Sequence, residues 1–596
     1  MLDRRPAVSS LEPLEPWTWY RNEDGLPFLR GCRDEAAAKK AFEGNRMRRH
    51  IGAINYLRAT EWRLNDYMLD VYQSWIVEPL LEISQHRRDK GRRDLLQWDR
   101  IQASLLRGKT FWTDMHCEWR GRALPIPYFN YGRDDAMRSL FRFAKGAPIG
   151  ERGIYWLKVS LANCYGGDIA RKTFDQRAAW VDANMDRLRE LVSNPAQTLK
   201  YTKDTKVVEV MLGGKLVPAF KTPLLKEASD PFQLLAHAHE LVACNNNPKF
   251  ETTLPLPFDA SNSGAQYYSV LKRDRKGARL TNLIDAKRPN DLYFNICARA
   301  EGRVTSLIKD ADAKMSERLR AVWAKSKGLI TRKVIKGIVV AYLYGQQTGG
   351  ATKKLTLTLR QAKTELVVED IHTVDPSEDF DGKMGTEVTW RWPTKEEFPK
   401  GYLGWFTKIV HEEIAAAIPG AAEVRGYIRS LADVLGSHGK VLEWESPTGV
   451  PISNRYHGSD MSTIKMWLGA LPTRIEHDVP VGYEPELDGD RCSQGAAANL
   501  IHSIEASHMA LVALACERAG IPLVTVHDCF GTLGCYVEDL RRIWLEELRN
   551  LFKDENILQD LHNYAREVLG PDVELPPVPT RGVLRIEEIN GRYALS

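Results

Sequence analysis

Apolar positions along this chain fall into three patterns, and each predicts a different kind of element. Between residues 54 and 76 (INYLRATEWRLNDYMLDVYQSWI), Leu57, Leu64, Met68, Val71 and Trp75 recur at helical spacing, which predicts a helix. A polar, irregular segment is expected before it, over residues 1–50, and a basic helical stretch after it, to about Gly108. Residues 117–165 read as short strands and turns with a helix around 154–161. Two short apolar runs bounded by turn formers read as strands: 254–259 (LPLPFD), entering the small-residue turn ASNSG, and 521–528 (IPLVTVHD), followed by CFGTLG. Both stop where an aspartate emerges. Residues 286–345 between them are helical in pattern. The alternation in LTLTLR (355–360) and the run TEVTWRWP (386–393) predict an inserted β-ribbon. Helices resume near 403–437, loop-like sequence spans 446–495, and a strong helix covers 496–519. After Pro576, Pro577 and Pro579, a short strand is expected in VLRIEEI (583–589). There is no repeat at solenoid periods.

Composition narrows the class. The chain has 596 residues, 43% hydrophobic and 27% charged, a globular balance with length enough for several subdomains. No apolar run approaches the roughly 20 residues that span a bilayer, and the first residues lack a signal peptide's apolar stretch. No membrane is expected. Nine cysteines occur without a CxxC pair, which argues against a disulfide framework or an ordinary zinc site. The net charge of +5 is too small to announce a nucleic-acid partner. Basic clusters stand at 46–50 (RMRRH), 86–93 (HRRDKGRR), 272–276 (KRDRK) and 332–336 (RKVIK). Each alone also fits a solvated face.

Candidate chemistry begins with Asp259 and Asp528. A carboxylate at the end of a buried strand is costly unless paired. Two such strands side by side would make a divalent cation the natural compensation, and magnesium suits carboxylates, waters and phosphates. Two metals could activate a hydroxyl and stabilise a leaving pyrophosphate. Taken singly, each Asp also fits a turn or cap. In 328–345 (GLITRKVIKGIVVAYLYG), Arg332, Lys336, Val340 and Tyr344 follow at i+4 steps. On a helix they span about 120° of face over about 18 Å. That suits a triphosphate at the basic end and a nucleoside at the aromatic end; it also fits an amphipathic helix with a core tyrosine. In EWRGR (118–122), Arg120 and Arg122 flank a glycine and could clasp phosphates. NLIHSIEASH (499–508) places His502 near Glu505 on a helix. His411-Glu412-Glu413 is not HExxH and reads as surface.

In this order, these segments resemble the single-subunit DNA-dependent RNA polymerases of the bacteriophage and mitochondrial type. The resemblance runs from about Trp112 to Ser596. It rests on EWRGR with Phe129 and Asn130, FAKGAPIGERGIYWLK (143–158) and ANC (162–164), PFDASNSGAQYYSVL (257–271), TRKVIKGIVVAYLYG (331–345), AANLIHSIEASH (497–508), VTVHDCFGTL (524–533) and the terminal YALS.

The resemblance implies an α/β (α+β) class and a right-hand polymerase fold. Palm, fingers and a reduced thumb would be mostly helical around an antiparallel palm sheet. Residues 1–110 would be a short N-terminal region and reduced thumb. The palm would take 111–285 and 496–596, and the fingers 286–495. Asp259 and Asp528 would hold two magnesium ions, with the carbonyl of Ala260 as a further ligand where the family usually has glycine. Lys336 would meet the incoming triphosphate and protonate departing pyrophosphate, and Arg332 would hold the phosphates. Tyr344 and His502 would sense the ribose 2′-hydroxyl. Arg122 and Tyr293 would line the nucleotide or template site, and His527 would sit beside the metals. Asp168 would lie near the triphosphate, with Arg171 or Lys172 beside it.

Departures from the family pattern are Gly337 after the lysine, Gly349 in place of an aromatic, Leu124 after RGR, the stretch 351–393 and the short region before EWRGR. The implied partners are a single-stranded or melted DNA template, nascent RNA and ribonucleoside triphosphates. A protein partner is a further expectation, for initiation on duplex. A promoter-reading loop is expected within 450–485, with Arg455, Lys465 and Arg474 as candidates. Action in the cytoplasm of a bacterial host is expected, with virion packaging as a variant. Two rival readings are a related DNA polymerase and a silent polymerase-derived subunit. Against the first, residues 260–264 (ASNSG) hold no bulky steric gate. Against the second stands the full set Asp259, Lys336, Tyr344 and Asp528.

Overall fold

The computed structural model describes residues 8–22, 25–77, 90–193, 210–212, 215–217, 228–311, 313–326, 331–356, 401–468, 471–480 and 486–596. It is a mixed α/β chain, largely helical, with small sheets that are mostly antiparallel. The first 50 residues are less irregular than expected. A helix at Glu35–Glu43, capped by Asp34, precedes α1 (Arg48–Arg58).

The single helix expected over 54–76 is three pieces. After α1 the chain forms β1 (Trp62–Leu64), then a helix at Asp66–Tyr72 and a π turn at Gln73–Val77. Leu57 to Val71 satisfies a helical period, but Trp62 and Leu64 are also buried about an exposed Arg63. The Trp62 ring stacks between Tyr131 and Phe143, at 5.7 and 5.2 Å. Asn65 then accepts the Met68 amide and restarts the helix. Tertiary stacking overrides the local period. The helix expected before Gly108 is present at Lys90–Leu106.

Next come the hairpin strands β2 (Met115–Glu118) and β3 (Ala123–Pro125), then β4 (Phe141–Phe143), which pairs with β1. Helix α2 (Gly150–Tyr165) buries Trp156 edge-on against Phe258, at 5.6 Å. Helix α3 (Pro231–Cys244) is capped from a distance. Asp135 accepts the amides of Phe232 and Gln233 at 2.8 and 2.9 Å. Strand β5 (Leu256–Asp259) runs into α4 (Ser263–Lys272). The helical region continues through α5 (Leu292–Asp310) and α6 (Arg332–Leu343). Residues 348–356 are helical as well. Leu355 and Thr356 are therefore not strand, and the rest of the expected β-ribbon, up to residue 393, lies outside the described residues.

After α7 (Pro419–Ser437), the segment read as loop contains a hairpin. Strands β6 (Ser459–Leu468) and β7 (Leu471–Pro480) pair antiparallel from Ser459↔Pro480 to Leu468↔Leu471. Polar residues such as Thr463, Lys465, Arg474 and Glu476 diluted the apolar alternation by which strands are recognised. The following helix, α8 (Gly489–Ala519), starts earlier than residue 496 because Asp488 caps it by accepting the Arg491 amide. Strands β8 (Val524–Val526) and β9 (Cys529–Thr532) close the central sheet, and α9 (Val537–Lys553) follows. The strand expected in 583–589 is instead irregular, with one 3-10 turn at Ile586–Glu588 held by Arg585 N–H donating to Glu588. Buried α8 contacts α1, α4, α7 and α9, so N-terminal and C-terminal parts share one apolar core.

Two of the basic clusters serve packing. Arg46 pairs with Glu445, Arg49 donates to the Pro447 carbonyl, and His50 is buried between Thr448 and the Gly121 carbonyl. Lys272 pairs with Glu423, Arg273 donates to the Phe552 carbonyl, and Arg275 pairs with Glu588. In 86–93, residues 86–89 lie outside the described residues.

Candidate active site

Strand β9 is the middle of a three-stranded antiparallel sheet, with β5 on one side and β8 on the other. Asp259 ends β5 and lies opposite Cys529, while Val526 lies opposite Cys529 across the β8–β9 turn. That turn consists of His527 and Asp528. The two aspartates do not sit on adjacent strands, as the sequence suggested. One ends a strand and the other occupies the next hairpin's turn, where the Ala260 amide donates to the Asp528 carbonyl at 3.2 Å. His527 takes φ +58°, a left-handed conformation uncommon for a side-chain-bearing residue. The outer edge of β5 is closed by the chain's last residues. Asp259 and Ser596 exchange backbone hydrogen bonds at 3.3 and 2.9 Å, and Ser261 N–H donates to the Ala594 carbonyl at 2.9 Å.

Burial, then the neighbouring Asp259 charge, pushes the Asp528 carboxyl up, against a Ser263 hydrogen bond that lowers it. Among the described residues neither aspartate has an ion-pair partner within 4 Å. Arg122 acts on Asp528 and Arg138 on Asp259 from a distance, and two anions sharing a sheet edge with no cation in contact among the described residues is the electrostatic condition a divalent cation relieves. The Ala260 carbonyl accepts from Asn262 N–H at 2.7 Å and keeps a second lone pair. Among the described residues no three His, Cys, Asp or Glu side chains group at metal-holding spacing. The oxygens this edge offers a cation are two carboxylates and a carbonyl, a set that suits an ion keeping waters and substrate oxygens. His527 is exposed at the turn, and desolvation by its surroundings, then Arg122, Arg138 and Arg120, lowers its pKa to about 4.

The second wall is α6 with the start of α5. Arg332 Nε donates to Asp291 at 2.5 Å, and its guanidinium lies 5.1 Å from the centre of the Tyr293 ring. Lys336 Nζ lies 5.7 Å from the same ring centre. Asp291 caps α5 by accepting the Phe294 amide and also lies 3.8 Å from Arg171. Arg171 pairs with Asp168, which is exposed. Arg171 thus joins the wall. Asp168 reaches it only through Arg171, and Lys172 gives its carbonyl to Arg177. Tyr344 is not within the helix but its C-cap. Gly345 follows at φ +85°, where a Cβ would meet the Gln494 carbonyl at 2.4 Å. The glycine lets the end of α6 lie on α8.

The walls meet at Tyr344. Its ring lies 4.7 Å from that of His502 on α8. A Cβ on Gly264 would come within 3.3 Å of its hydroxyl. Burial pushes the Tyr344 phenol up, followed by the charges of Glu505 and Asp528. Burial raises the Tyr293 phenol to about 12, against Arg332 and helped by Asp528. Arg122 donates to Glu505 at 2.7 Å, and Ser263 Oγ donates to the other carboxylate oxygen at 3.3 Å. Burial raises Glu505 to about 7 against the pull of Arg122. Arg120 is clamped by Glu118 at 2.7 and 2.9 Å and donates to His502 Nδ1 at 2.7 Å. The structure thus brings Asp259, Ala260, Asp528, His527, Arg122, Tyr293, Arg332, Lys336, Tyr344 and His502 to one site. Sequence reasoning missed Asp291, Ser263 and the roles of Glu505 and Arg120. Asp291, a capping residue two positions before Tyr293, carried a signal for the first of these. Of the run His411-Glu412-Glu413 read as surface, Glu412 is exposed and His411 is half-buried. It packs on Tyr342 at 4.9 Å, and burial lowers its pKa to about 4.

Comparison with known proteins covers nearly all of the chain, including residues before Trp112 that the sequence resemblance left out. A plant relative, DNA-directed RNA polymerase 2, chloroplastic/mitochondrial, of Arabidopsis thaliana, is 26% identical, over 98% of this chain and 56% of its own length. T7 RNA polymerase of Escherichia phage T7 is 24% identical, over 97% of this chain and 68% of its own. The chain thus spans little more than half of the plant relative. A solved structure titled POL domain of Pol1 from M. smegmatis aligns over 81% of this chain and 78% of its own, at 12% identity and a TM-score of 0.24. The description DNA-dependent RNA polymerase matches residues 147–211 and 216–590. With most of the chain covered by that match, and the site residues inside it apart from Glu118, Arg120 and Arg122, the protein belongs to the DNA-dependent RNA polymerase family.

Proposed function

We propose that this chain is a DNA-templated RNA polymerase that extends an RNA 3′ end with ribonucleoside triphosphates. The observation that carries this reading is the carboxylate edge of Asp259 and Asp528, with no ion-pair partner among the described residues, beside Tyr293, on whose ring Arg332 and Lys336 lie, with Tyr344 at the join. Asp259, Asp528 and the Ala260 carbonyl would hold two magnesium ions. When bound, they supply charge stabilisation for an attacking hydroxyl and a departing pyrophosphate. The protein's own groups do the positioning. Arg332 exchanges Asp291 for triphosphate oxygens, and Lys336 donates to the phosphates and gives a proton to the leaving pyrophosphate. Tyr344 stacks beneath the sugar, and His502 donates to its 2′-hydroxyl. Holding the reactants in line accounts for much of the rate of such a transfer.

Residues 111–285 and 496–596 then form the palm, because β5 from the first pairs with β9 from the second. Residues 286–495 form the fingers and 1–110 an N-terminal flank with a reduced thumb. The β6–β7 hairpin, where Lys465 lies directly opposite Arg474, is the promoter-reading element of this reading. A DNA template and nascent RNA are its partners. A bacteriophage setting is supported by the T7 and T3 relatives, and an organellar one by the plant relatives.

The test is incorporation of labelled nucleotide on an RNA primer annealed to a DNA template. Magnesium-dependent extension with ribonucleotides, lost in Asp259→Asn and Asp528→Asn while template binding persists, is the expected result. Preference for deoxyribonucleotides would favour the DNA polymerase reading, and extension by both aspartate variants would remove the metal assignment.

A further inference from the structure

Arg120 belongs to the EWRGR segment, where its charge suggested a phosphate contact. The structure gives it other partners. Glu118 takes Nε and Nη2 at 2.7 and 2.9 Å, and the guanidinium lies 5.3 Å from the centre of the Trp119 ring. Nη1 points at His502 Nδ1 at 2.7 Å, with Asn499 Oδ1 at 3.4 Å. An arginine has donors only, so Nδ1 of His502 must accept. Burial, reinforced by Arg122, Arg120 and His527, holds the imidazole neutral, with its pKa lowered to about 2. A neutral imidazole carries one proton. With Nδ1 accepting, that proton sits on Nε2, and Nε2 can only donate.

We infer that Arg120, clamped by Glu118, is a positioning residue that fixes His502 in the Nε2–H tautomer, so that the site presents a donor to the 2′ position of the incoming sugar. The inference rests on the reading of His502 as the ribose sensor and adds what sets its polarity. A ribose 2′-oxygen accepts that hydrogen bond, whereas a deoxyribose leaves a desolvated N–H unmet. Discrimination then depends on a residue that need not touch the nucleotide. Lysine at position 120 would also be a pure donor and would keep the tautomer. Methionine would let the ring take either form.

The experiment compares wild type, Arg120→Met, Arg120→Lys and His502→Ala in competition assays with ribo-, 2′-fluoro- and 2′-deoxynucleoside triphosphates. Tautomers are read from 15N-histidine spectra, with the His502 signal identified by its loss in His502→Ala. In wild type the Nε2–H tautomer is expected. Fluorine accepts weakly and cannot donate, so the 2′-fluoro substrate should rank between the other two. Arg120→Met should lower the ribo/deoxy ratio at least about fivefold and mix the tautomers, and Arg120→Lys should restore both. If His502→Ala changes the ratio but Arg120→Met does not, the role of Arg120 is refuted while the ribose-sensor reading stands. If the Lys variant fails like Met, or wild type shows Nδ1–H, the tautomer assignment is refuted. If His502→Ala leaves the ratio unchanged, the sensor reading itself fails. The histidine spectrum keeps the test decisive even for a variant of low activity.

Discussion

The carboxylate wall and the cationic wall of the site are built by different means. Asp259 and Asp528 are placed by backbone. Antiparallel pairing fixes them between β5 and the β8–β9 turn, and the Ser596 and Ala594 hydrogen bonds close the outer edge. Arg332 and Lys336 are placed by side chains, through one carboxylate and the face of one tyrosine. Backbone ladders hold a position against any ligand. A guanidinium on an aspartate can change partners at small net cost, because a partly solvated ion pair is worth little. The first wall suits a metal site whose geometry must not vary. The second suits a site that must take up a triphosphate and let pyrophosphate go.

This contrast predicts a ranking of effects. Asp528→Asn or Asp259→Asn should lower nucleotide addition more than about a hundredfold, or ~2.7 kcal/mol of barrier, in single-turnover extension, with unchanged thermal stability. A smaller loss would mean that the rigid wall is not the metal site. Next, Lys336→Met should cost about thirtyfold in kcat, the worth of one charge-assisted hydrogen bond at ~2 kcal/mol. A loss confined to KM would reduce the lysine to a binding group. Tyr344→Phe should keep kcat and lower the ribo/deoxy ratio about tenfold, one hydrogen bond at ~1.4 kcal/mol. Unchanged selectivity would leave sugar sensing to His502 alone. The smallest effect is expected at the exchangeable contact. Asp291→Asn should lower KM for nucleotide about threefold, ~0.6 kcal/mol, because Arg332 no longer leaves an anion to meet the triphosphate. A raised KM with reduced kcat would make Asp291 a support of the wall rather than a competitor.

Much of the site was legible because charged residues break an apolar pattern there, although Asp259 and Lys336 prove to be exposed rather than buried. Asp259 and Asp528 at the ends of apolar runs, and Arg332, Lys336 and Tyr344 at i+4 steps, announce themselves in this way. What could not be read was set by contacts between segments far apart in sequence. The Glu118–Arg120–His502 chain joins residues 382 positions apart at its last link, and no local period encodes it. Likewise, the helix expected across 54–76 gave way to β1 because Trp62 found Tyr131 and Phe143. The β6–β7 hairpin was hidden for the opposite reason, since its strands mix polar residues with the apolar positions that mark a strand. Asp291 was overlooked because a cap has an explanation of its own.

The staple on the outer edge of β5 has a consequence for the time course of synthesis. Ser261 donates its hydroxyl to the carbonyl of Tyr593, 332 residues later. At about 5–20 residues per second, a translating ribosome takes roughly 20–70 s to cover that interval. Within it Asp259 waits first for β9, made at residues 529–532, and then for residues 593–596. The carboxylate pair is therefore completed only once residues 593–596 have been made, and a ribosome-bound fragment lacking those residues should bind divalent cations weakly. Nascent-chain stalling before and after residue 593 would time the moment at which the protein becomes chemically competent.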